Sequence, residues 1–204
     1  MGMIRERERH IIITGFGGQG IILAGDILGR AATLYDHKFA TMTQSYGPEA
    51  RGSACSAQVI ISKEEILFPY VREPQVLICL SQEGYSKNVR SIRRGGVLIW
   101  DTDLVQTKKL DPSLTTYNIP ATRFAEELGN RMMANIVMLG FLVEVHHLVS
   151  VQAMRKAVLS SVPEPTRELN TQAFERGRQY GEAILKSKAR QGKAGQGKAG
   201  QGKE

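Results

Sequence analysis

The residues best suited to chemistry form a glycine-rich turn near the start of the chain, Gly15, Gly17, Gly18, Gln19 and Gly20. They follow a short β-branched run and precede a proline-free stretch that is typical of a helix. Such a turn exposes backbone N–H groups beside the positive end of a helix dipole, and this arrangement binds phosphate. Glycines are also needed where a helix packs closely on a sheet, so close packing is the alternative role of the turn.

A second candidate site is the segment 44–53, which combines turn-forming residues with a tyrosine and two opposite charges. Its arginine, Arg51, can bind a carboxylate or phosphate through two parallel hydrogen bonds. An exposed or intersubunit ion pair explains Arg51 and Glu49 equally well. If the strand before this segment runs parallel to the first strand, the segment lies beside the glycine turn. Open α/β sheets bind their ligands at this carboxyl edge.

No complete catalytic constellation is apparent. The four histidines are interpreted as surface or core residues, namely His10, His37, His146 and His147. Neither Ser45 nor Ser53 has an evident base to activate it. Asp101 and Asp103 follow a predicted strand, where a metal site and a plain strand-end turn are equally good explanations. The sequence therefore indicates an anion-binding edge without a reactive group of its own, which is more typical of a subunit than of a complete enzyme.

An NAD-binding enzyme is the main alternative. It requires an acidic residue about 20 residues after the glycines, at the carboxyl end of the second strand, to bind the ribose. Asp36 has roughly this separation, but it precedes the predicted strand Lys38–Thr43 and therefore lies at the wrong end. This placement argues against a dinucleotide.

The chain of 204 residues suits one domain with an added helical segment, and its 42% hydrophobic content is enough for a sizeable core. No apolar run reaches the length of a membrane span, and Met1–His10 lacks the features of a signal peptide, so a cytoplasmic location is expected. Cys55 and Cys79 are interpreted as buried free thiols rather than a disulfide. Two cysteines alone cannot ligate an iron–sulfur cluster.

The formal net charge of +7 comes mostly from the C-terminal end of the chain. Residues 186–204 contain six basic residues and one acidic residue, whereas residues 1–185 contain 21 basic and 19 acidic residues. The high isoelectric point therefore describes the tail, and specific nucleic-acid binding is not indicated.

Alternating apolar runs and helical patterns predict a three-layer α/β/α sandwich with a mostly parallel, mixed sheet and a C-terminal helical segment. The predicted strands are Ile11–Ile13, Lys38–Thr43, Ala54–Ile61, Val76–Leu80, Val97–Trp100 and Thr115–Ile119, with Ile66–Phe68 as a further short strand. Helices are predicted over Ile21–Ala32 and Gln82–Arg93, and Thr122 is the predicted cap of a helix that ends at Leu128. The strand from Ala54 is predicted to be antiparallel, because the segment before it is too short for a crossover helix.

The C-terminal third is predicted to be helical. Met132–His147 is apolar at nearly every position, so this helix is buried on most sides or lies in a subunit interface. Val151–Leu159 and Gln172–Lys188 predict two amphipathic helices. The repeated Gln-Gly-Lys-Ala-Gly pattern predicts a disordered basic tail at 186–204, beyond an α/β domain at 1–185.

Two motifs resemble signatures of the gamma subunits of 2-oxoacid:ferredoxin oxidoreductases. Gly15–Gly20, followed by Ala24, resembles the opening of that family, and Thr43–Gly52 resembles its second signature. The form Ser-Tyr-Gly-Pro-Glu-Ala-Arg is most similar to the 2-oxoglutarate enzymes, although pyruvate and branched-chain enzymes have similar subunits. Ser53 departs from the pattern, because a second glycine is expected after Gly52.

The resemblance implies a subunit of an enzyme that oxidatively decarboxylates a 2-oxoacid with coenzyme A. The products are an acyl-CoA and CO2, and electrons pass to ferredoxin through iron–sulfur clusters. The resemblance implies that thiamine diphosphate and Mg²⁺ sit mainly on alpha and beta subunits. A delta subunit and a homodimer contact are further candidate partners. This chain is expected to hold no metal, cofactor or catalytic residue alone and to be inactive by itself.

The resemblance also implies roles for both motifs. It places one set of residues at a subunit boundary near the substrate or coenzyme A, namely Ser45, Tyr46, Gly47, Glu49, Arg51 and Gly52. It assigns Gly15–Gly20 to close backbone packing or to phosphate contact.

Overall fold

A computed structural model of the protein describes residues 8–46 and 54–199, with side chains as far as residue 190. Its sheet has six strands in the order β2-β3-β1-β4-β5-β6. The strands are β1 (Glu8–Phe16), β2 (Phe39–Tyr46), β3 (Ala54–Ser62), β4 (Val76–Cys79), β5 (Val97–Asp101) and β6 (Thr115–Ile119). β1, β4, β5 and β6 are parallel, whereas β3 is antiparallel to both of its neighbours. The predicted mixed sheet and its antiparallel third strand are confirmed.

Helices cover both faces of the sheet, so the predicted α/β/α class is confirmed. They are α1 (Ile21–Arg30), α2 (Gln82–Asn88), α3 (Ala121–Glu127), α4 (Ala134–Val145), α5 (Val151–Ser161) and α6 (Arg167–Ala199). Short 3₁₀ turns precede α4 and α6, another follows α2, and a π turn at Ala31–Tyr35 extends α1. One apolar core joins the sheet to α1 and to α3–α6, and a smaller core joins the opposite face to α2 and to the segment after β5. The central strands β4 and β5 are buried along their whole length, as expected of strands covered on both faces.

The apolar helix α4 lies in the interior of the chain itself. Every residue from Ala134 to Val143 is buried. Of the two predicted locations, the protein core and a subunit interface, the structure therefore supports the core. α4 packs against α6 at a glycine contributed by each helix. A Cβ atom on Gly140 would overlap the backbone of Phe174, and one on Gly177 would overlap the backbone of Val137. The two helix backbones therefore approach each other closely enough to exclude any side chain at these positions.

β2 runs in the same direction as β1 without pairing with it, because β3 lies between them and is antiparallel to both. Phe16 at the end of β1 pairs with Ala54, and Tyr46 at the end of β2 pairs with Cys55. Both strands therefore end at the same carboxyl edge of the sheet. The predicted neighbourhood of the glycine turn and the end of the second strand is confirmed for the described residues.

Several predicted boundaries were wrong. Ile66–Phe68 is not a strand, and Leu67 and Phe68 are exposed. Thr122 is not a helix cap, because α3 begins at Ala121 with Pro120 in the cap position. The Thr122 side chain instead donates a hydrogen bond to a buried carboxylate of β5. Tertiary contacts determine the secondary structure at these positions, and local sequence patterns carry no information about such contacts.

The predicted end of the last helix was also wrong. α6 continues from Arg167 to Ala199, through a segment that was expected to be disordered. Lys188 packs on the sheet, since its Nζ donates to the Thr116 carbonyl at 2.9 Å and lies 3.9 Å from the centre of the Tyr117 ring. Lysine, glutamine and alanine favour helix, whereas the glycines of this segment oppose it; extending an existing helix adds a hydrogen bond for each further residue. The division of the chain at residue 185 into an α/β domain and a tail stays a prediction.

Asp36 links the turn after α1 to the start of α5. Its carboxylate accepts hydrogen bonds from the Ser150 N–H and hydroxyl, both at 2.7 Å, and Lys38 Nζ lies 3.4 Å away. Burial opposes ionisation, but the Ser150 hydrogen bonds and the Lys38 charge together outweigh it. The pKa of Asp36 is therefore lowered from its ordinary value of 3.8. The ionised carboxylate stabilises the fold.

We expect Asp36→Asn to reduce the free energy of unfolding at pH 7 by about 1–2 kcal/mol, because one strong acceptor oxygen is lost. A lowered pKa stabilises the fold at pH values above 3.8, and the effect is lost as the pH falls through the lowered pKa. Urea titrations between pH 2 and pH 7 measure the difference. Asp26→Asn, which removes an exposed partner of Arg30, is the control and should change stability by less than about 0.5 kcal/mol. A difference for Asp36→Asn that is independent of pH would contradict the role of its charge.

Candidate functional site at the carboxyl edge

The glycine turn is closed by the side chain of Gln19. Its Oε1 accepts a hydrogen bond from the Phe16 N–H at 2.6 Å, and its Nε2 donates to the Leu80 carbonyl at 3.0 Å. The Gln19 N–H donates in turn to the Phe16 carbonyl at 3.2 Å. One side chain therefore joins the carboxyl ends of β1 and β4, and the Phe16 N–H is not available to a ligand.

Close packing requires glycine at two positions of the turn. A Cβ atom on Gly15 would overlap Gln19 and Ile21, and one on Gly20 would overlap the amide of Asn135. Gly20 also has a φ of 70°, in the left-handed region that glycine adopts without strain. Asn135 is 3% exposed, and its Nδ2 donates to the Gly20 carbonyl at 3.1 Å. The only polar residue in the buried part of α4 thus fastens that helix to the turn.

No side chain caps the first turn of α1. Gly20 is the cap residue and supplies no side-chain oxygen to the amides that follow it. Gly17 and Gly18 are exposed, and nothing lies within 4 Å of the position that a Cβ atom would take on Gly18. Uncapped amides at the positive end of a helix of ten residues can donate hydrogen bonds to a phosphate or carboxylate.

β2 brings Ser45 and Tyr46 to the same edge. Tyr46 is 64% exposed, and its hydroxyl donates to Gln44 Oε1 at 2.8 Å. Ser45 pairs with Ser56, which pairs in turn with Thr14, so three hydroxyl-bearing residues share one face across three strands. The segment predicted as a loop from Gln44 therefore begins as strand.

The other members of the second motif are not described by the structure. Gly47, Glu49, Arg51 and Gly52 lie outside the described residues, between Tyr46 and Ala54. The two flanking residues are at the carboxyl edge, as the strand register shows. The roles assigned to these four residues stay predictions.

Asp101, the buried acid at the end of β5, is a structural residue. Its Oδ2 accepts hydrogen bonds from the Thr122 N–H at 2.8 Å and the Thr122 hydroxyl at 2.6 Å, and its Oδ1 accepts from the Asp103 N–H at 2.9 Å. Burial raises the pKa of the Asp101 carboxyl, against the lowering effect of these hydrogen bonds. Asp103 pairs with Arg123. Of the two explanations that the sequence left open, the observed contacts support the strand-end turn.

The described residues contain no cluster of three or more histidine, cysteine, aspartate or glutamate side chains suited to a metal ion. Cys55 and Cys79 are buried and not disulfide-bonded, as predicted. They lie in the two cores on opposite faces of the sheet, so they cannot share an iron–sulfur cluster. Burial raises the pKa of both thiols, which keeps them protonated and unreactive.

The residues that an NAD enzyme would need lie elsewhere in the fold. Asp36 precedes β2 at the amino edge of the sheet, and its carboxylate is already occupied by Ser150 and Lys38. His146 follows α4, and burial, with the nearby Arg9 and His147, lowers its pKa. His10 is 5% exposed, with its Nε2 3.0 Å from Glu8 Oε2. None of these residues is at the glycine turn.

Fold and site together define a class of protein: an α/β/α domain with an uncapped helix start at its carboxyl edge, where the described polar side chains serve the fold. The family model for pyruvate ferredoxin/flavodoxin oxidoreductase matches residues 10–180, and the chain belongs to this family. It is 52% identical over 179 residues to the 2-oxoglutarate synthase subunit KorC of Methanocaldococcus jannaschii. That match covers 87% of this chain and 96% of the relative. The predicted resemblance to 2-oxoacid:ferredoxin oxidoreductase gamma subunits is confirmed.

Two solved structures share the fold. The gamma subunit of a keto/oxoacid ferredoxin oxidoreductase from Geobacter sulfurreducens is 42% identical, with a TM-score of 0.75 over 86% of this chain and 99% of that chain. The 2-oxoglutarate:ferredoxin oxidoreductase of Magnetococcus marinus, solved with 2-oxoglutarate, coenzyme A and succinyl-CoA bound, is 22% identical with a TM-score of 0.79. The match covers 88% of this chain but only 32% of that chain. The same fold therefore also occurs as about a third of a longer polypeptide.

Sequence reasoning missed Asn135 and the structural role of Gln19. Asn135 had a detectable signal, because it is the one polar residue between Ala134 and Val143 and a buried amide needs partners. Gln19 had none, since its partner Leu80 is 61 residues away in the chain.

Within residues 8–46 and 54–199, no helix has both the length and the apolar character needed to cross a bilayer.

We expect Asp101→Asn to reduce the free energy of unfolding by about 1–3 kcal/mol, because an amide NH2 would then face a backbone N–H or hydroxyl donor. Asp103→Asn is the matched control, and it should cost less than about 1 kcal/mol because it removes only a partly exposed ion pair. Chemical denaturation measures both. Addition of Mg²⁺ should stabilise neither the parent nor the variants. A stabilisation by Mg²⁺ that disappears in Asp101→Asn would restore the metal-site interpretation.

Proposed function

We propose that the chain is the gamma subunit of a multisubunit 2-oxoacid:ferredoxin oxidoreductase that uses 2-oxoglutarate. The observation that carries this proposal is the 52% identity to a 2-oxoglutarate synthase subunit over nearly its whole length. In this reaction the 2-oxoacid loses CO2, its acyl group forms a thioester with coenzyme A, and the released electrons pass to ferredoxin. The pyruvate and branched-chain enzymes are the alternative members, because they have similar gamma subunits.

The geometry supports the role of a subunit that is inactive alone. The candidate acids Asp36 and Asp101 are bound by hydrogen bonds that the fold needs. The two cysteines face opposite sides of the sheet, so iron–sulfur clusters belong to other chains. Thiamine diphosphate and Mg²⁺ are likewise assigned to the alpha and beta subunits. An NAD-dependent enzyme is the weaker alternative, since no acidic side chain of the described residues reaches the glycine turn from the end of β2.

The carboxyl edge is the part of the chain that we assign to the assembled active site. Exposed glycines and uncapped amides at the start of α1 suit a phosphate of coenzyme A or a carboxylate of the 2-oxoacid. Arg51 adds a bidentate anion contact in this proposal. Ser45, Tyr46, Gly47, Glu49 and Gly52 then lie at the boundary with a partner subunit. Gly15 and Gln19 hold the turn in shape, as their contacts indicate.

The proposed partners are the alpha and beta subunits, with a delta subunit and a second gamma subunit as further candidates. The occurrence of the fold as about a third of a longer chain supports extensive contact with other domains. Ferredoxin is reached through the holoenzyme, in a complex that we place in the cytoplasm. Neither a membrane nor a specific nucleic acid is part of this proposal.

Copurification tests the proposal directly. A tag on this chain in native, anaerobic extract is expected to recover alpha and beta chains. The eluate should reduce a low-potential dye in the presence of coenzyme A and 2-oxoglutarate but not with pyruvate. Preference for pyruvate would replace the substrate assignment and keep the subunit assignment. A lone inactive chain, under conditions that preserve large complexes, would contradict both. NAD-dependent turnover by the isolated chain would support the weaker alternative.

In the copurified enzyme, Arg51→Ala is expected to raise the KM for coenzyme A or 2-oxoglutarate about tenfold or more, because a bidentate anion contact is lost. Arg51→Lys keeps the positive charge but loses the paired guanidinium donors, so it should recover only part of the affinity. Arg30→Ala makes the same change on the exposed surface of α1, where Arg30 pairs with Asp26 at 3.2 Å, and should leave both KM values unchanged. Normal KM values and subunit content for Arg51→Ala would remove Arg51 from the site.

A further inference from the structure

A groove of about 730 Å³ lies between α2 and the segment 104–114, on the face of the sheet opposite α4. This volume is in the range of small-molecule sites. Two hydrogen bonds fasten its walls to each other. Gln82 Oε1 on α2 accepts from the Gln106 N–H at 2.8 Å, and the Tyr85 hydroxyl accepts from the Lys108 N–H at 3.4 Å. The shape of the groove is therefore defined by the fold.

Positive charge is concentrated around this groove. Four cationic side chains line it, Lys87 from α2, Arg90 from the 3₁₀ turn that follows α2, and Lys108 and Lys109 from the opposite wall, against one carboxylate, Asp111. All four are exposed. The body of the chain, residues 1–185, has 21 basic and 19 acidic residues, so an excess of this size is not typical of its surface. It lies on a different face from the basic C-terminal helix.

These cations have no partners within the described part of the chain. Ion pairs occupy several arginines and lysines of the same chain, such as Arg123 with Asp103 and Arg178 with Glu144. None of the ion pairs or cation–π contacts among the described residues involves the four groove cations. Four cations around one groove, against the single carboxylate of Asp111, create a positive potential that attracts a multiply charged anion.

The floor of the groove is apolar. It is formed by half-buried aliphatic side chains, namely Val89, Ile92, Leu110 and Leu114. A bare inorganic anion would leave these carbon atoms in contact with water. A ligand with an apolar or planar part beside its anionic groups would cover them as well as neutralise the rim.

We propose that this groove binds an organic polyphosphate of the nucleotide type, with its phosphates against the four cations and its base on the aliphatic floor. Phosphate oxygens accept charge-assisted hydrogen bonds from lysine and arginine. Asp111 is the one group that opposes such a ligand. Its pKa is lowered, first by hydrogen bonds from Ser113, so it is ionised when the ligand binds. The proposal does not depend on the proposed function, because binding is measured on the full chain itself.

Fluorescence anisotropy with N-methylanthraniloyl-ADP tests the site. We expect saturable binding by the full chain that weakens with rising salt. Lys87→Gln and Arg90→Gln should each weaken it about three- to tenfold. Asp111→Asn should tighten it about two- to fivefold, because it removes the single negative charge and keeps an acceptor oxygen for Ser113. Lys156→Gln, the same change on the exposed surface of α5, is the control and should have no effect. These surface substitutions leave the core intact.

Competition identifies which part of the ligand is bound. ADP should displace the probe at lower concentration than pyrophosphate, and adenosine should be the weakest competitor, since the groove binds the phosphates and the base together. The absence of saturable binding overturns the proposal. Equal weakening by Lys156→Gln overturns it too, because binding would then reflect diffuse surface charge. Unchanged affinity in the Lys87→Gln, Arg90→Gln double variant would place the nucleotide elsewhere, for example at the glycine turn, and also excludes the groove.

Discussion

The burial of α4 is the constraint on which the rest of the structure depends. An apolar helix without a polar stripe must be covered on all sides, and the chain covers it with the sheet, α3, α5 and α6. Gly140 and Gly177 allow the backbones of α4 and α6 to touch. The remaining polar group, Asn135, has to find partners inside the protein, and it finds one in the Gly20 carbonyl. The same interior contact therefore holds the helix and shapes the turn at the edge.

This arrangement explains why backbone amides at the carboxyl edge lack a cap although polar side chains lie nearby: those side chains already make hydrogen bonds within the protein. The side chains of Gln19, Asn135 and Asp101 use their hydrogen-bonding groups to join strands and helices to one another. The backbone amides at the start of α1 lack a side-chain cap. Uncapped amides at the start of a helix are suited to bind an anion. This arrangement is compatible with the subunit role proposed above for a member of this family.

The two faces of the sheet have different surfaces. On one face, five helices contribute to the large core, and α6 continues to Ala199 with a basic C-terminal sequence. On the other, the short helix α2 and the segment after β5 leave a groove with a cationic rim. The net charge of +7 does not show that the basic residues lie on two different faces, because it is a sum over the whole chain. Charge that is dispersed along the sequence, at Lys87 and Lys108 for example, becomes concentrated only when α2 packs beside the later segment.

The sequence by itself determined the class of fold, the positions of six strands, the antiparallel third strand and the family. These features have local signals: β-branched runs, glycines that mark turns, short connections and two contiguous motifs. Only the tertiary structure decided that α4 is core, that Asp101 and Asp36 are structural, that Gln19 joins β1 to β4, and that α6 continues past Lys188. Each of these depends on contacts between residues far apart in the chain, such as Asp36 with Ser150, and no local pattern specifies which distant group will satisfy a buried polar atom.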